Sequence, residues 1–307
     1  FKEEPHMSQL VKNLGFFPRV IKPFEYFEPE TIEEATQVLA EHGERTRLIA
    51  GGVDLVPRMR RRLLVPEHVV SLRGIAGLDY IKGGGADGLK IGPLVTIRSL
   101  ELSPAVKKDY TALYEAAHQL ASVQVKVMGT AVGNLCVATP ASDIAVALFA
   151  LGAQLKIVGA TSEKVIPIEE FFVGVGQTSL QPGEIVTEVL VPGTAKGSGS
   201  AFFKLVRTSA DIAKVNAAVY LVIADGVCRE ARIALGSVAA TTIRAKKAEA
   251  ALKGKKIAPE ITEEAAEAAS EETKTITDLR STAEYRQEMA GVLVKRAIGK
   301  ALERAKA

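Results

Sequence analysis

The stretch GTAVGNLCVATPASD, residues 129–143, follows a helical pattern and precedes a strongly apolar run, and it carries two glycines, two threonines, an asparagine and an aspartate in fifteen positions. Such a mixture suits either a tight turn or a backbone wrapped around a charged group. A comparable stretch lies about eighty residues earlier, where the short strand-like run RLIA (residues 47–50) breaks at Gly51-Gly52 and continues as Val53-Asp54-Leu55. A diphosphate is prohibitively costly to bury without donors, and glycine-rich turns supply backbone N–H groups for it. Glycine also allows close approach and positive φ. Neither stretch is a G-x-G-x-x-G or a G-x-x-x-x-G-K-[ST] motif, so the Rossmann and P-loop readings gain no direct support. From the residues alone, ordinary turns after strands and a shared phosphate cradle both remain open.

Bulk properties narrow the classes. A chain of 307 residues suits two domains, since domains run to roughly 100–200 residues. Its two cysteines, Cys136 and Cys228, are far apart and lack a C-x-x-C partner, which argues against a metal or iron–sulfur site on this chain and for a reducing, cytoplasmic setting. The opening FKEEPHMSQL has no basic region followed by an apolar core, so a secretory signal is not expected there. The apolar run from Ile144 has ten residues, short of the roughly 18 that span a bilayer. With 39 basic and 36 acidic residues, a net charge of +3 leaves nucleic-acid binding unsupported.

Residues 31–43, TIEEATQVLAEHG, read as a helix with Thr31 and Glu34 in capping-box spacing and a stop at Gly43. HVVSL is a strand, DYIKGGGADGLKIG a hairpin, and TALYEAAHQLAS a helix leading to the opening stretch. A buried helix starts near Asp143, followed by the strands QLKIV, KVIPI and EIVTEVLV. After a Gly/Ser/Pro-rich segment at 192–200, AFFKLVR is a strand, VNAAVYLVIA and VCREARIALGSV pair through Asp225-Gly226, and helices alone follow.

The series IAGGVDLVPRMR, LKIGPLVTI, GTAVGNLCVATPASDIAVALFALGAQL, FFVGVGQTSLQPGEIVTEVLVP, FKLVRTSADIAKVNAA, ARIALGSVA and AEYRQEMAGVLVKRA resembles, in order and without large gaps from about Pro18, the FAD-binding medium subunit of the molybdenum hydroxylases. That group includes xanthine dehydrogenase, carbon monoxide dehydrogenase and 4-hydroxybenzoyl-CoA reductase. The resemblance implies an α+β fold: a PCMH-type (vanillyl-alcohol-oxidase-like) FAD-binding domain of two α/β subdomains, at residues 18–195, and a C-terminal domain with a small antiparallel sheet and helices, at 200–307. It implies FAD as cofactor, a small partner subunit with two [2Fe-2S] clusters, a large molybdopterin (molybdenum or tungsten) subunit, and a dimer of heterotrimers. Carried over residue by residue, it lays Arg47, Leu48, Ile49, Ala50, Gly51, Gly52, Val53, Asp54 and Leu55 along the FAD phosphates and ribose. Gly129, Thr130, Gly133 and Asn134 close on the diphosphate from the other side. Ser142 and Asp143 lie by hydroxyls of the cofactor and Lys204 near the flavin ring, where a cation favours the anionic reduced form; Leu120, Ala121, Val125, Cys136 and Ile185 complete the set. The role implied is passage of electrons from iron–sulfur clusters to an external acceptor.

Two departures bear on this. Where the family usually has threonine, serine or histidine, this chain has Val53, and a hydrogen bond to a charged group is worth about 1.5–3 kcal/mol. The second motif, usually T-I-G-G-N, reads Thr130-Ala131-Val132-Gly133-Asn134. Valine tolerates positive φ badly, so either Val132 uses ordinary backbone angles or the loop has shifted. A flavin-free structural or assembly subunit is therefore the alternative, and a free-standing flavin reductase a third reading. The remaining candidates have plain explanations. Arg58 and Arg60–Arg62 read as a solvated face, Asp211 as a turn residue and Cys136 as a small packed residue. His42, His68 and His118 lack ligand spacing, and the cysteine-rich insertion of the 4-hydroxybenzoyl-CoA reductase type is missing.

Overall fold

A computed structural model describes residues 20–306. The reading of FKEEPHMSQL, the start of the first domain at residue 18 and the final residue lie outside the described residues.

The first unit is a small parallel sheet. β1 (Glu25–Phe27), β2 (Thr46–Ile49) and β3 (His68–Ser71) lie in the order β1-β3-β2, both pairs parallel. Helix α1 (Ile32–His42) covers it and is capped as its sequence dictates, with Thr31 Oγ1 accepting the Glu34 amide at 3.1 Å and Gly43 leaving at φ +56°. Between β2 and β3 runs the short helix α2 (Leu55–Arg60). Arg58 bonds Asp54 one turn back, whereas Arg60, Arg61 and Arg62 are exposed, as a solvated face requires.

The second unit is an antiparallel sheet in the order β4-β5-β10-β6-β7, made of β4 (Ile81–Gly83), β5 (Leu89–Ile91), β6 (Gln154–Val158), β7 (Glu163–Pro167) and β10 (Ile185–Val191); the pair β8 (Phe172–Gly174) and β9 (Gln177–Thr178) stands apart. Six α-helices lie between β5 and β6: α3 (Ile97–Leu102), α4 (Pro104–Asp109), α5 (Thr111–Gln119), α6 (Val123–Met128), α7 (Ala131–Cys136) and α8 (Asp143–Leu151). Every residue of α8 is buried. That explains why DIAVALFAL is apolar all round, since a helix enclosed on all sides has no polar face to present.

The C-terminal unit is the antiparallel sheet β11 (Ser198–Leu205), β12 (Val215–Ala224), β13 (Val227–Gly236) and β14 (Ile243–Arg244), backed by α9 (Lys246–Leu252), α10 (Pro259–Glu271) and α11 (Ala283–Ala305). Asp225 (φ +54°) and Gly226 (φ +73°) turn the β12–β13 hairpin with the two positive φ angles that its twist demands. The last segment is not helices alone. The two-residue strand β14, too short to show alternation, joins the sheet before α9.

Strand β12 is buried on both faces. Val215, Ala217, Val219 and Leu221 enter the core beneath α11, while Ala218 and Tyr220 join the core that contains α8. The period-two alternation of a strand thus ties both domains to one sheet. Polar groups reinforce the seam. Arg304 of α11 meets both oxygens of Glu115 of α5 (2.5 and 3.2 Å) and the Ser200 carbonyl (2.6 Å), and Glu115 also accepts the Phe202 amide at 2.8 Å. Glu115→Ala leaves a half-buried guanidinium and an amide without their acceptor, and we expect a loss of about 2–3 kcal/mol in urea unfolding with an unchanged m value.

Candidate functional site

The two glycine stretches meet. Gly51 lies two residues beyond the end of β2, and a Cβ at that position would stand 1.9 Å from the Met128 carbonyl oxygen and 3.0 Å from Gly129 Cα. The backbones abut with no room for a side chain, so glycine here is a condition of their contact. Gly52 adopts φ +70°, the left-handed region that glycine enters without strain. On the other side of the seam, Val53 Cγ2 lies 3.7 Å from the place a Gly129 Cβ would take. A cleft of about 360 Å³ opens beside the junction, lined by Ala50 and Gly51 from the first turn and by Met128 and Thr130 from the second, with Thr96, Leu94 and the segment around Arg73 opposite.

The donors needed for an anion are present. The amides of Gly51, Gly52 and Val53 find no acceptor among the described residues, although the Gly52 carbonyl is used by Val56. Of the three residues Gly51 lines the cleft, and consecutive free N–H groups on such a turn supply fixed partial positive charge. The residues thus fit a phosphate-bearing group.

The second stretch is not a loop beyond Thr130, as the sequence reading had it. It is the first turn of α7, with Thr130 Oγ1 accepting the Gly133 amide at 3.0 Å. Val132 lies inside this helix and is buried in the main core, so it uses ordinary backbone angles and the loop has no need to shift. The reason is local: β-branched Val132 finds apolar neighbours, and the N-cap threonine starts the helix before it.

The other expected residues divide into groups. Arg47 Nη1 turns away to the carbonyls of Glu44 and Thr46, and Leu48 packs toward α1. Ile49 underlies Gly52, Asp54 holds Arg58, and Leu55 opens α2. Ile185 is buried in the small core beneath the cleft floor and does not reach the cleft. Leu120 and Val125 pack on the main core, and Ala121 adopts φ +43°. Cys136 is exposed rather than packed.

A second polar cluster lies at the domain seam. Asn134 of α7 accepts Ser142 Oγ at 2.5 Å, and Ser142 also caps α8 through the Ala145 amide. The next residue, Asp143, accepts Lys204 Nζ at 2.7 Å on one oxygen and Asn216 Nδ2 at 2.7 Å on the other. Asp143 and Lys204 expose 4% and 3% of their side chains, so these are charges held inside the protein. Burial pushes the Asp143 carboxyl above its usual range, against the pull of the Lys204 ammonium and the Asn216 amide. Lys204 also reaches the Gln119 carbonyl at 3.4 Å. Sequence reading named Asp143 and Lys204 separately; their pairing, and the part of Asn216, come from the packing of β11 and β12 on α8.

Sequence reading missed the cluster around Glu101 altogether. Glu101 of α3 bonds Lys126 of α6 at 2.8 Å, Arg98 at 2.7 Å and His118 Nδ1 of α5 at 2.8 Å, and Lys126 Nζ donates to the His118 carbonyl at 3.0 Å. It braces α6 just before Gly129. The only signal was a carboxylate and a lysine on short helices that show no amphipathic pattern. His42 and His68 were likewise not foreseen as neighbours, yet their rings stack 4.1 Å apart. Asp211 accepts the Thr208 amide at 3.2 Å, the turn role expected of it. No group of His, Cys, Asp and Glu able to hold a metal is found among the described residues, and no described helix is long and apolar enough to cross a membrane.

Two lobes and a C-terminal sheet, with two glycine turns meeting beside one cleft and free amides on the first, suit a protein that binds a phosphate-bearing ligand. The family profile described as "FAD binding domain in molybdopterin dehydrogenase" matches residues 22–194, and "CO dehydrogenase flavoprotein C-terminal domain" matches residues 200–301. The chain is 34% identical to the carbon monoxide dehydrogenase medium chain of Afipia carboxidovorans over 92% of its length and 98% of that protein. It is 33% identical to the nicotine 6-hydroxylase medium subunit of Paenarthrobacter nicotinovorans, over 89% of this chain and 95% of that one. Among solved structures, carbon monoxide dehydrogenase from Hydrogenophaga pseudoflava superposes with a TM-score of 0.89 at 35% identity, covering 93% of this chain and 99% of the other. This chain belongs to the family of FAD-binding medium subunits of the molybdenum hydroxylases; it is a flavoprotein component of an oxidoreductase, and its cofactor is FAD. A medium chain implies further subunits.

The Glu101 cluster yields a pH prediction. Burial acts to raise the Glu101 carboxyl, but hydrogen bonds from Lys126, Arg98 and His118 outweigh it and hold the group at about 2, against 4.5 ordinarily. A lowered folded-state value means stability that is fully present above pH 4.5 and is lost as pH falls toward 2. Glu101→Gln is therefore expected to flatten the pH dependence of unfolding free energy across that window, measured by denaturant titration at several pH values.

Proposed function

We propose that this chain is the electron-transfer flavoprotein of a molybdenum or tungsten hydroxylase complex. Electrons would enter from a small subunit with two [2Fe-2S] clusters, served in turn by a large molybdopterin subunit, and leave to an external acceptor. We further assign residues 18–195 to the FAD-binding domain and 200–307 to the C-terminal domain, a dimer of heterotrimers as the assembly, and the cytoplasm as its place. When bound, FAD supplies a carrier that takes electrons one or two at a time.

One observation carries the reading: two turns far apart in sequence press backbone against backbone beside a cleft that both line, and the first carries three consecutive free amides, that of Gly51 at the cleft. On this reading Gly51, Gly52 and Val53 hold the diphosphate through main-chain donors, and Thr130 carries the second turn's part of the same wall. Asn134 and Ser142 connect that wall to the Asp143–Lys204 pair, which sets a fixed charge distribution at the far end of the site. That pair is held by β11 and α8, so its geometry owes nothing to flexible loops. Of the two departures behind the reading of a flavin-free subunit, Val132 is accounted for as a helical core residue and Val53 stands.

The test is flavin binding by the purified full chain, followed by visible absorbance of the retained cofactor. Wild type is expected to keep FAD through gel filtration, and Gly51→Val, which drives a side chain into the Met128 carbonyl, to lose it. Absence of bound flavin in wild type after FAD addition overturns the proposal. Val53→Thr restores a hydroxyl donor beside the cradle and is expected to tighten FAD binding by roughly tenfold or more, the worth of one hydrogen bond to a charged group. Purification of the native complex with iron and molybdenum or tungsten analysis checks the partners.

A further inference from the structure

We propose that Arg73 is the cationic arm of the diphosphate site, a cofactor-binding residue outside both glycine turns; this rests on the function proposed above. Four observations lead to it. First, β2 and β3 are parallel neighbours, with Ile49 paired to Ser71 and the Leu72 amide bonded to the Ile49 carbonyl at 3.0 Å. Both strands therefore finish at the same edge, one opening into Ala50-Gly51-Gly52 and the other into Arg73, and crevices beyond the carboxyl ends of parallel strands are where ligands collect.

Second, Arg73 lines the same cleft as Gly51 and Thr130, where among the described residues it is the sole cation and Asp79 the sole carboxylate. Third, its Nη2 lies 4.0 Å from Met128 Sδ, the residue whose carbonyl abuts Gly51, so the guanidinium reaches the seam where the turns join. Its own backbone is anchored there, the Arg73 amide donating to Ser71 Oγ at 3.2 Å. Fourth, the guanidinium forms no ion pair with any carboxylate among the described residues, and of the arginines so left, Arg73 is the one that lines the cleft.

An unpaired planar guanidinium lining the same cleft as the free Gly51 amide suits the two-oxygen geometry of a phosphate. The amides alone neutralise only partial charge, and Val53 contributes no hydroxyl. Arg73 provides the whole positive charge that the cradle otherwise lacks.

The test uses the full chain stripped of flavin, with FAD as the probe, in wild type, Arg73→Gln and Arg73→Lys. The readouts are FAD dissociation constants by quenching of flavin fluorescence at two salt concentrations, and the melting temperature of the flavin-free proteins. Arg73→Gln is expected to weaken FAD roughly 10- to 100-fold, with a shallower salt dependence and an unchanged melting temperature, and Arg73→Lys to recover part of the loss. The inference is overturned if Arg73→Gln binds FAD as wild type does, or if the loss comes with a lowered melting temperature and no rescue by lysine. A wild type that binds no FAD is a separate result, which sinks the proposed function and this inference with it.

Discussion

The site depends on a contact between two backbones. Gly51 and the Met128 carbonyl approach so closely that not even a methyl group fits between them, and this is what converts two turns from different parts of the chain into one wall. Loop flexibility would ordinarily make such a junction loose. Here each side is rooted in something stiff: the first turn in the parallel pair β2–β3, the second in α6 and the capped start of α7. Bracing of α6 by Glu101, Lys126 and His118 matters for the same reason, because the position of Gly129 is set by the helix that precedes it.

Buried charge is the second organising element. Desolvating a carboxylate and an ammonium is expensive, and their attraction repays this only with good geometry and further hydrogen bonds. Asp143, Lys204 and Asn216 meet that condition, each on a different element, so the cluster forms only when the C-terminal sheet is seated on α8. The two domains are therefore coupled through the polar end of the proposed site as well as through the two-sided burial of β12. A Cβ at Gly236 would fall 2.2 Å from Asn216 Oδ1, so even the neighbouring strand is trimmed to accommodate this amide.

Departures from the family's usual motifs have unequal weight once placed in three dimensions. Val132 sits inside a helix with its side chain in the core, where a branched aliphatic residue is at home. Val53 remains a real change, exposed and apolar at a position bordering the free amides. Arg73, one strand away, is the group in the cleft whose chemistry can offset it.

Much of the architecture was legible in the sequence because periodicity and turn chemistry act locally. The capped helix at Thr31, the Asp225-Gly226 hairpin, the all-apolar helix after Ser142 and most of the longer strands followed from patterns within ten or fifteen residues. Both glycine stretches were visible, and so were Asp143 and Lys204 as single residues within a recognised series of motifs. Short elements escaped, since β1, α2, α3, α4, α6, α7, β8, β9 and β14 hold too few residues to display a period. What only the tertiary structure decided was which residues meet: Gly51 with Met128, Asp143 with Lys204 and Asn216, Glu101 with Lys126, and Arg73 with the seam. The physical reason is that these contacts join segments dozens of residues apart, and their partners are selected by the packing of sheets and helices on one another, a selection that leaves no trace in the spacing of residues along the chain.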